Sequence, residues 1–141
     1  CDWLVDNKLS IHLGKTESIL FGTKHLLSKE NNLDIRYRNN VIEQKKSVKY
    51  LGVTMDCMLN GKSMVESILS KINNKLKFLY RKQRFLTKDI RRLLCNSLIQ
   101  PHYDFACCSW YPLLTKNLKH RLQVSQNKCI RFCLNLNNRA S

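Results

Sequence analysis

From residue 62 onward, apolar side chains recur every three or four positions, and this period constrains the fold more than any other feature of the chain. The first such stretch contains Val65, Ile68, Leu69, Ile72, Leu76 and Leu79. On a helix that turns about 100° per residue, these side chains fill one arc of roughly 100°. The pattern predicts a long amphipathic helix that buries this arc.

Cations lie on both sides of the buried arc of this helix. One flank carries Lys71, Lys75 and Lys82, and the other carries Lys77, Arg81 and Arg84. Phe78 falls among the lysines, outside the apolar arc. An aromatic ring there can stack on a base or sugar, or it can pack on a neighbouring element. The sequence leaves both alternatives open.

A second helix is predicted to begin after Thr87, whose hydroxyl can cap it. Its inward residues are predicted to be Ile90, Leu93, Leu94 and Leu98, with Arg91 and Arg92 facing away. Pro101 breaks or kinks this helix because proline lacks the amide hydrogen. The apolar segment 102–112 that follows is predicted to be a short buried helix or loop.

A last helix is predicted to begin after Thr115, which can cap it in the same way. Its core face contains Leu118, Leu122, Ser125, Cys129, Phe132, Cys133 and Leu136. Its opposite face contains His120, Arg121, Lys128 and Arg131. Both cysteines of the Cys129–Cys133 pair therefore point inward, which favours packing over metal binding.

The first 60 residues show strand patterns instead. Residues 2–8 are predicted to end a helix that packs through Trp3 and Leu4. Residues 9–13 alternate in polarity, and residues 14–16 read as a turn before a second strand at 18–21, which together predict a hairpin. A second hairpin is predicted from residues 33–37 and 41–43, which flank Asn39-Asn40. Strands followed by helices predict an α+β fold, with Asn60-Gly61 as the joint.

A further strand is predicted at "KYLGVTMD" (49–56), although Gly52 lies near its centre. Glycine weakens a strand interior unless the backbone bulges or something must approach it closely. A bulge or close strand packing is one explanation, and the approach of a ligand to the bare backbone is the other.

Positive charge is concentrated in the helical half. The chain has 25 Lys and Arg against 10 Asp and Glu, a net charge of +15. Residues 1–70 carry 10 basic and 8 acidic side chains (+2), and residues 71–141 carry 15 and 2 (+13). Such a field attracts a polyanion, most simply nucleic acid, although a soluble basic surface is the alternative.

The spacing of cysteines and carboxylates does not indicate a metal site. The seven cysteines include no C-x-x-C pair and the four histidines are scattered, which favours reduced, buried thiols inside a cell. No two acids are adjacent, and no glycine-rich phosphate loop or membrane-length apolar run is present. We predict no metal or cofactor in this chain, no membrane partner, and an intracellular location in the nucleus or cytoplasm rather than secretion.

Four stretches occur in the order seen in a known family. They are "DWLVDNKLSIHLGKTESILF" (2–21), "VKYLGVTMD" (48–56), "RRLLCNSLIQPHYDFACCSWYPLL" (91–114) and "LQVSQNKCIRFCLNL" (122–136). They resemble the reverse transcriptases of non-LTR retrotransposons, in particular jockey-type elements. The first stretch is similar to the motif after the catalytic hairpin, the second to the primer grip, and the last two to the thumb. The resemblance covers nearly the whole chain.

The resemblance implies a division into a palm remnant, residues 1–60, and a helical thumb, residues 62–141. Lys15 matches a lysine near the phosphates of the incoming nucleotide, a suggested proton donor to pyrophosphate. From the residues alone, Lys15 is a solvated lysine in a turn. Tyr50, Leu51 and Gly52 match the primer grip, which holds the primer 3′ end.

The resemblance also implies the partners: an RNA template with a DNA primer, and the rest of the polymerase, its fingers and upstream palm. The predicted phosphate-binding residues are Lys71, Lys75, Lys77, Arg81, Lys82, Arg84, Lys128 and Arg131. The complete enzyme would use two Mg²⁺ ions. The aromatic-Ala-Asp-Asp box of the family is missing here, so this chain is expected to be an interior segment of a longer RNA-directed DNA polymerase and inactive alone.

Other interpretations remain open at this point. The chain could be a freestanding basic helical module that binds nucleic acid, or an interaction module that docks a partner through residues 103–114. A decayed copy of a mobile element has the same sequence features as a living one.

Overall fold

The structure, a computed structural model, describes residues 2–29 and 33–136 and confirms the α+β architecture. The first half contains α1 (Asp2–Asp6), β1 (Glu17–Ser18), α2 (Lys24–Lys29), β2 (Arg36–Tyr37), β3 (Asn40–Val41), β4 (Glu43–Gln44), β5 (Ser47–Tyr50) and β6 (Val53–Asp56). The second half contains α3 (Lys62–Lys82), α4 (Lys88–Leu98), α5 (Gln100–Asp104), α6 (Cys107–Trp110) and α7 (Lys116–Leu134). The predicted units also take in residues 1, 30–32 and 137–141, which lie outside the described residues.

The hydrophobic core lies in the helical half. Within the described ranges, every fully buried apolar side chain falls between Met64 and Phe132. The predicted face of α3 is confirmed, since its six apolar residues are buried or, for Leu69, partly buried. This face packs against α7 and β6, and α4 also packs against α7. The period of the sequence therefore identified the central helix of the core.

Helix α7 also buries the predicted face. Leu118, Leu122, Ser125, Cys129 and Phe132 are buried, and Cys133 is half-buried. Ser125 is tolerated in the core because its Oγ accepts a hydrogen bond from the Tyr103 hydroxyl at 2.8 Å. Leu136 is exposed, contrary to the prediction, because Asn135 takes the left-handed conformation (φ +57°) and ends the helix before it.

Both predicted caps are present. The Thr87 hydroxyl accepts from the amide of Ile90, and the Thr115 hydroxyl accepts from the amide of Leu118. The predicted break is present: α4 ends at Leu98, and Pro101 lies in the first turn of α5. The segment after it forms short helices whose Trp110 is only 3 % exposed, with its Nε1 donating to the Phe105 carbonyl.

The predicted inward face of α4 is largely wrong, since only Leu94 of its four residues packs against the core. Ile90, Leu93 and Leu98 are exposed, whereas Cys95 and Ile99 are buried. Arg91 was predicted to face away, yet it is only 9 % exposed. Its guanidinium donates to the carbonyls of Leu86 and Gln83 at 3.0 and 3.1 Å. These two bonds to the loop after α3, together with the Phe132 ring 6.0 Å from the guanidinium carbon, account for the burial of the arginine.

The first predicted hairpin is also wrong. Residues 9–12 form no strand, and Leu13–Lys15 is a 3-10 turn, which agrees only with the predicted turn. The short β1 instead pairs in parallel with β4. Leu9 and Leu13 are exposed and Ile11 is half-buried, so the alternating apolar residues do not form one buried face. Of the two residues predicted to pack from the first helix, Trp3 is exposed and Leu4 is half-buried.

The second predicted hairpin is present in a short form. Strands β2 and β3 pair antiparallel, with Arg36 opposite Val41 and Tyr37 opposite Asn40. The turn is therefore Arg38-Asn39, one residue earlier than the Asn39-Asn40 turn that the sequence suggested.

The segment "KYLGVTMD" is two strands rather than one. Tyr50 of β5 lies opposite Val53 of β6, so Leu51-Gly52 is a two-residue turn. Both turn residues have positive φ, +45° and +85°, as a type I′ turn requires. Gly52 is therefore explained by turn geometry, which the interpretation as a continuous strand missed.

Strands give way to helices between Asp56 and Lys62. Asp56 Oδ1 accepts from the amides of Met58 and Asn60 and holds the connecting turn. Gly61 precedes α3 with φ +66°, and a Cβ there would lie 2.6 Å from Leu114 Cδ2. The predicted joint is thus a tight contact between the two halves. In the described ranges, no helix has the length and apolar character needed to cross a bilayer.

Candidate nucleic-acid interface

The β5–β6 hairpin places its turn against the helical half. The ring of Phe105, just after α5, fills the space beside Gly52, where a Cβ would lie 2.8 Å from Phe105 Cζ. Tyr50 and Leu51 remain 63 % and 81 % exposed at the hairpin tip. The close neighbour of the bare glycine backbone is therefore a ring of the same chain, and the apolar tip beside it faces solvent.

A cavity of about 390 Å³ opens between this turn, α3 and α5, and we call it the turn-side cavity. Its lining consists of Lys49, Gly52, Thr54, Met64, Ser67, Ile68, Lys71, His102 and Phe105. It brings Gly52 from the predicted primer grip beside Lys71 from the predicted thumb. Two ammonium groups, two hydroxyls and an imidazole line it, and none of its lining residues is a carboxylate. The chemistry of these groups suits an anionic ligand.

Lys75 lies near the same cavity but is engaged within the protein. Its Nζ donates to the Leu98 carbonyl at 2.9 Å and lies 2.8 Å from His102 Nε2. An ammonium can only donate, so Nε2 accepts and the imidazole is neutral. Burial of His102, with Lys75 and Lys71 close by, lowers the pKa of its imidazole below the ordinary value. Lys75 thus ties α3 to the end of α4, with less freedom to reach a phosphate.

A second group of predicted residues meets between α3 and α7. A cavity of about 480 Å³ there is lined by Asn73, Leu76, Lys77, Tyr80, Lys128 and Arg131. Tyr80 forms its wall, with its ring edge-on to Phe132 at 5.1 Å and its hydroxyl donating to the Lys128 carbonyl at 3.4 Å. Burial raises the pKa of the Tyr80 hydroxyl, which remains a neutral donor. Helix packing thus brings Lys77 of α3 together with Lys128 and Arg131 of α7, which are far from it in sequence.

An adjoining cavity of about 560 Å³ shares Tyr80 and continues the same surface. Its other lining residues are Arg81, Gln83, Arg84, Arg91 and Asn135. We call the two together the α3/α7 groove. Lys77, Arg81, Arg84 and Lys128 form no ion pair with a carboxylate of the described residues. The positive field of these four side chains is therefore not neutralised locally.

The remaining predicted residues stand apart from these two surfaces. Lys15 ends the 3-10 turn at Leu13–Lys15, and Lys82 ends α3; both are exposed. Neither lines the turn-side cavity or the α3/α7 groove. Phe78 is 59 % exposed, so the structure does not show the packing alternative for this ring.

Sequence reasoning missed several residues of the turn-side cavity. Lys49 and Thr54 lie opposite each other on β5 and β6. A hairpin read from the Leu51-Gly52 turn would have paired them, because cross-strand neighbours share a face. Ser67 and His102 carry no such signal, since only the contact between α3 and α5 brings them together.

The described residues hold no cluster of three or more His, Cys, Asp or Glu side chains arranged for a metal ion. Cysteines 95 and 129 are buried, and burial raises the pKa of both thiols. Their chemistry is that of core residues rather than thiolate ligands.

Comparisons with known protein families, with curated proteins and with solved structures find no match to this chain.

Proposed function

We propose that the chain is part of an RNA-directed DNA polymerase of a mobile element and that it holds the template–primer duplex. The observation that carries this proposal is the turn-side cavity, which joins the Leu51-Gly52 turn to the basic flank of α3. Gly52, in the motif that resembles the primer grip, and His102 and Phe105, in a motif that resembles the thumb, are about 50 residues apart in sequence, yet they line one cavity. A duplex end seated there would meet cations, hydroxyls and an exposed apolar tip.

The roles of the lining groups follow from their chemistry. Lys49 and Lys71 offer ammonium groups to backbone phosphates, and Thr54 and Ser67 offer hydroxyl donors. Contacts of this kind position a duplex without reading its sequence, so no base specificity is expected. Lys75 supports the surface through its bonds to Leu98 and His102 rather than through phosphate contact.

The polymerisation chemistry would belong to other parts of the complete enzyme. Two Mg²⁺ ions need converging carboxylates, and the lining of the turn-side cavity offers none. The fingers and upstream palm, with the Asp-Asp box, are therefore the proposed partners, in the nucleus or cytoplasm. Lys15 is assigned its role near the nucleotide phosphates only on the resemblance. Primer extension on an RNA template by this chain alone should give no product.

The binding test uses a labelled RNA–DNA hybrid of about 12 base pairs and fluorescence anisotropy over a salt series. Each phosphate contact contributes about −0.9 to the slope of log K against log salt for a B-form duplex. Lys71→Glu should flatten the slope by about one contact and weaken binding at low salt. A matched control is Lys24→Glu, an exposed lysine at the start of α2, which makes the same charge change elsewhere.

An affinity for the hybrid that does not depend on salt would contradict the proposal, as would an equal loss of affinity in Lys71→Glu and Lys24→Glu. The rival interpretation, a freestanding nucleic-acid-binding module, predicts the same binding. The genomic sequence upstream of the codon for Cys1 separates the two: an in-frame aromatic-Ala-Asp-Asp box supports the polymerase, and its absence supports the module.

A further inference from the structure

The cations predicted to form one nucleic-acid surface are divided by the fold into two. Lys71 faces the turn-side cavity, whereas Lys77 faces α7 across the α3/α7 groove. On a helix with about 100° per residue, six residues separate the two side chains by about 120° around α3, on either side of the buried arc. One straight duplex therefore does not lie along both surfaces. We propose that the α3/α7 groove is a second binding site, for a single strand of nucleic acid.

The shape of the groove favours a single strand. Axes of packed helices lie about 8–10 Å apart, so the channel between α3 and α7 admits one extended strand, whereas a duplex would touch only its rims. Along α3 the groove lining runs from Asn73 to Arg81, about 12 Å at 1.5 Å per residue, and it continues to Arg84 in the turn after the helix. This length accommodates a few nucleotides.

The lining of the groove has the two features of single-strand sites. Cations from both helices, Lys77 and Arg81 on one side and Lys128 on the other, can follow a phosphate backbone. Aromatic rings supply stacking surfaces: Tyr80 forms the wall, and Phe85, in the turn after α3, is exposed just beyond the lining, with the guanidinium of the lining residue Arg84 4.6 Å from its ring centre. Stacking tolerates any base, so the site is expected to bind without strong sequence preference.

The charge balance also favours a polyanionic strand over a protein partner of mixed charge. The two acids of residues 71–141, Asp89 and Asp104, line neither cavity of the groove. A groove lining whose charged side chains are all positive offers no carboxylate to the positive side chains of a protein partner. In the proposed polymerase, a strand leaving the duplex would occupy the groove. This biological role rests on the proposed function, whereas the binding experiment below tests the groove independently of it.

The experiment compares two double variants on two probes by anisotropy. The probes are the 12-base-pair hybrid and labelled 10-nucleotide strands, one ribo and one deoxy. Lys77→Glu/Lys128→Glu alters the groove, Lys49→Glu/Lys71→Glu alters the turn-side cavity, and Lys24→Glu/Lys116→Glu makes the same charge change at two exposed helix-start positions outside both surfaces. Circular dichroism checks that each variant keeps its helices.

The groove variant should weaken single-strand binding about tenfold more than the control does and leave hybrid binding at the control level. The variant Phe85→Leu should weaken single-strand binding about fivefold through lost stacking, with the hybrid unaffected. A hybrid-saturated protein should still bind the labelled strand. The tighter of the ribo and deoxy strands identifies the natural sugar.

Several outcomes would overturn the inference. They are equal losses on both probes, competition between hybrid and strand, no effect of Phe85→Leu, or polyphosphate of matched charge binding as tightly as the strand. Failure of the proposed duplex function is a separate result: no hybrid binding by the unaltered chain, or no effect of the turn-side variant on it.

Discussion

The turn at Gly52 provides a quantitative test of how the hairpin is held on the helical half. Alanine there must adopt φ +85°, which is unfavourable by about 1–2 kcal/mol for an L-residue, partly offset by about 0.4–1 kcal/mol from a stiffer unfolded chain. Its Cβ would lie 2.8 Å from Phe105 Cζ, and relief of such overpacking costs about 1–3 kcal/mol. Phe105 is half-exposed, so the lower end of that range applies. We expect Gly52→Ala to destabilise the hairpin by about 2 kcal/mol.

Hydrogen exchange of the β5 and β6 amides measures this change directly. A loss of about 2 kcal/mol corresponds to roughly 30-fold faster exchange at these amides. The control is the same substitution in a Phe105→Ala background, where only the backbone strain remains and the acceleration should fall to about fivefold. Equal acceleration in the two backgrounds would refute the contact between the turn and α5. Acceleration below about twofold in the native background would refute the turn geometry itself.

Three further outcomes follow from the structure. Arg91→Met should lower the free energy of unfolding by about 1–3 kcal/mol because the Leu86 carbonyl loses the guanidinium donor, while the Gln83 carbonyl keeps its bond from the Leu86 amide. Arg92→Met, at an exposed position, should change it by less than about 0.5 kcal/mol, and urea denaturation compares the two. Because the pKa of His102 is lowered in the folded chain, its imidazole becomes protonated at a higher pH in the unfolded chain than in the folded one. Stability should therefore be full above pH of about 6.5 and fall as pH drops through the lower folded value, a slope that His102→Gln should reduce in pH-dependent melting curves. Amides of residues 2–56 should exchange faster than those of α3 and α7 because the described core lies between Met64 and Phe132; uniform protection would contradict this.

Much of the helical half could be predicted from sequence because its signals are local. The α3 face, the Thr87 and Thr115 caps and the break at Pro101 each depend on residues within a few turns of one another. The α4 face could not be predicted in the same way. Its buried positions are set by segments outside the helix: the Arg91 guanidinium donates to the carbonyls of Leu86 and Gln83 and lies over the Phe132 ring of α7.

The candidate site divides along the same line. Its cations could be identified from composition and helical period, and seven of the eight predicted phosphate-binding residues lie at or beside the two surfaces described, Lys82 being the exception. Their grouping could not be predicted, because it depends on which helix packs beside each flank of α3. Lys77 and Lys128 are about 50 residues apart in sequence, and they line the same cavity only because α3 packs against α7.

The sequence by itself determined the α+β order, the long basic helix and the excess of positive charge, since each is a property of residue type and short-range period. The tertiary structure alone decided that "KYLGVTMD" is a hairpin turned against Phe105, and that the cations form two surfaces instead of one. The physical reason is that the period of apolar residues indicates which side chains are buried, but not which segment they pack against. That pairing depends on close packing between segments distant in sequence, where a single Cβ or carbonyl decides which contacts form.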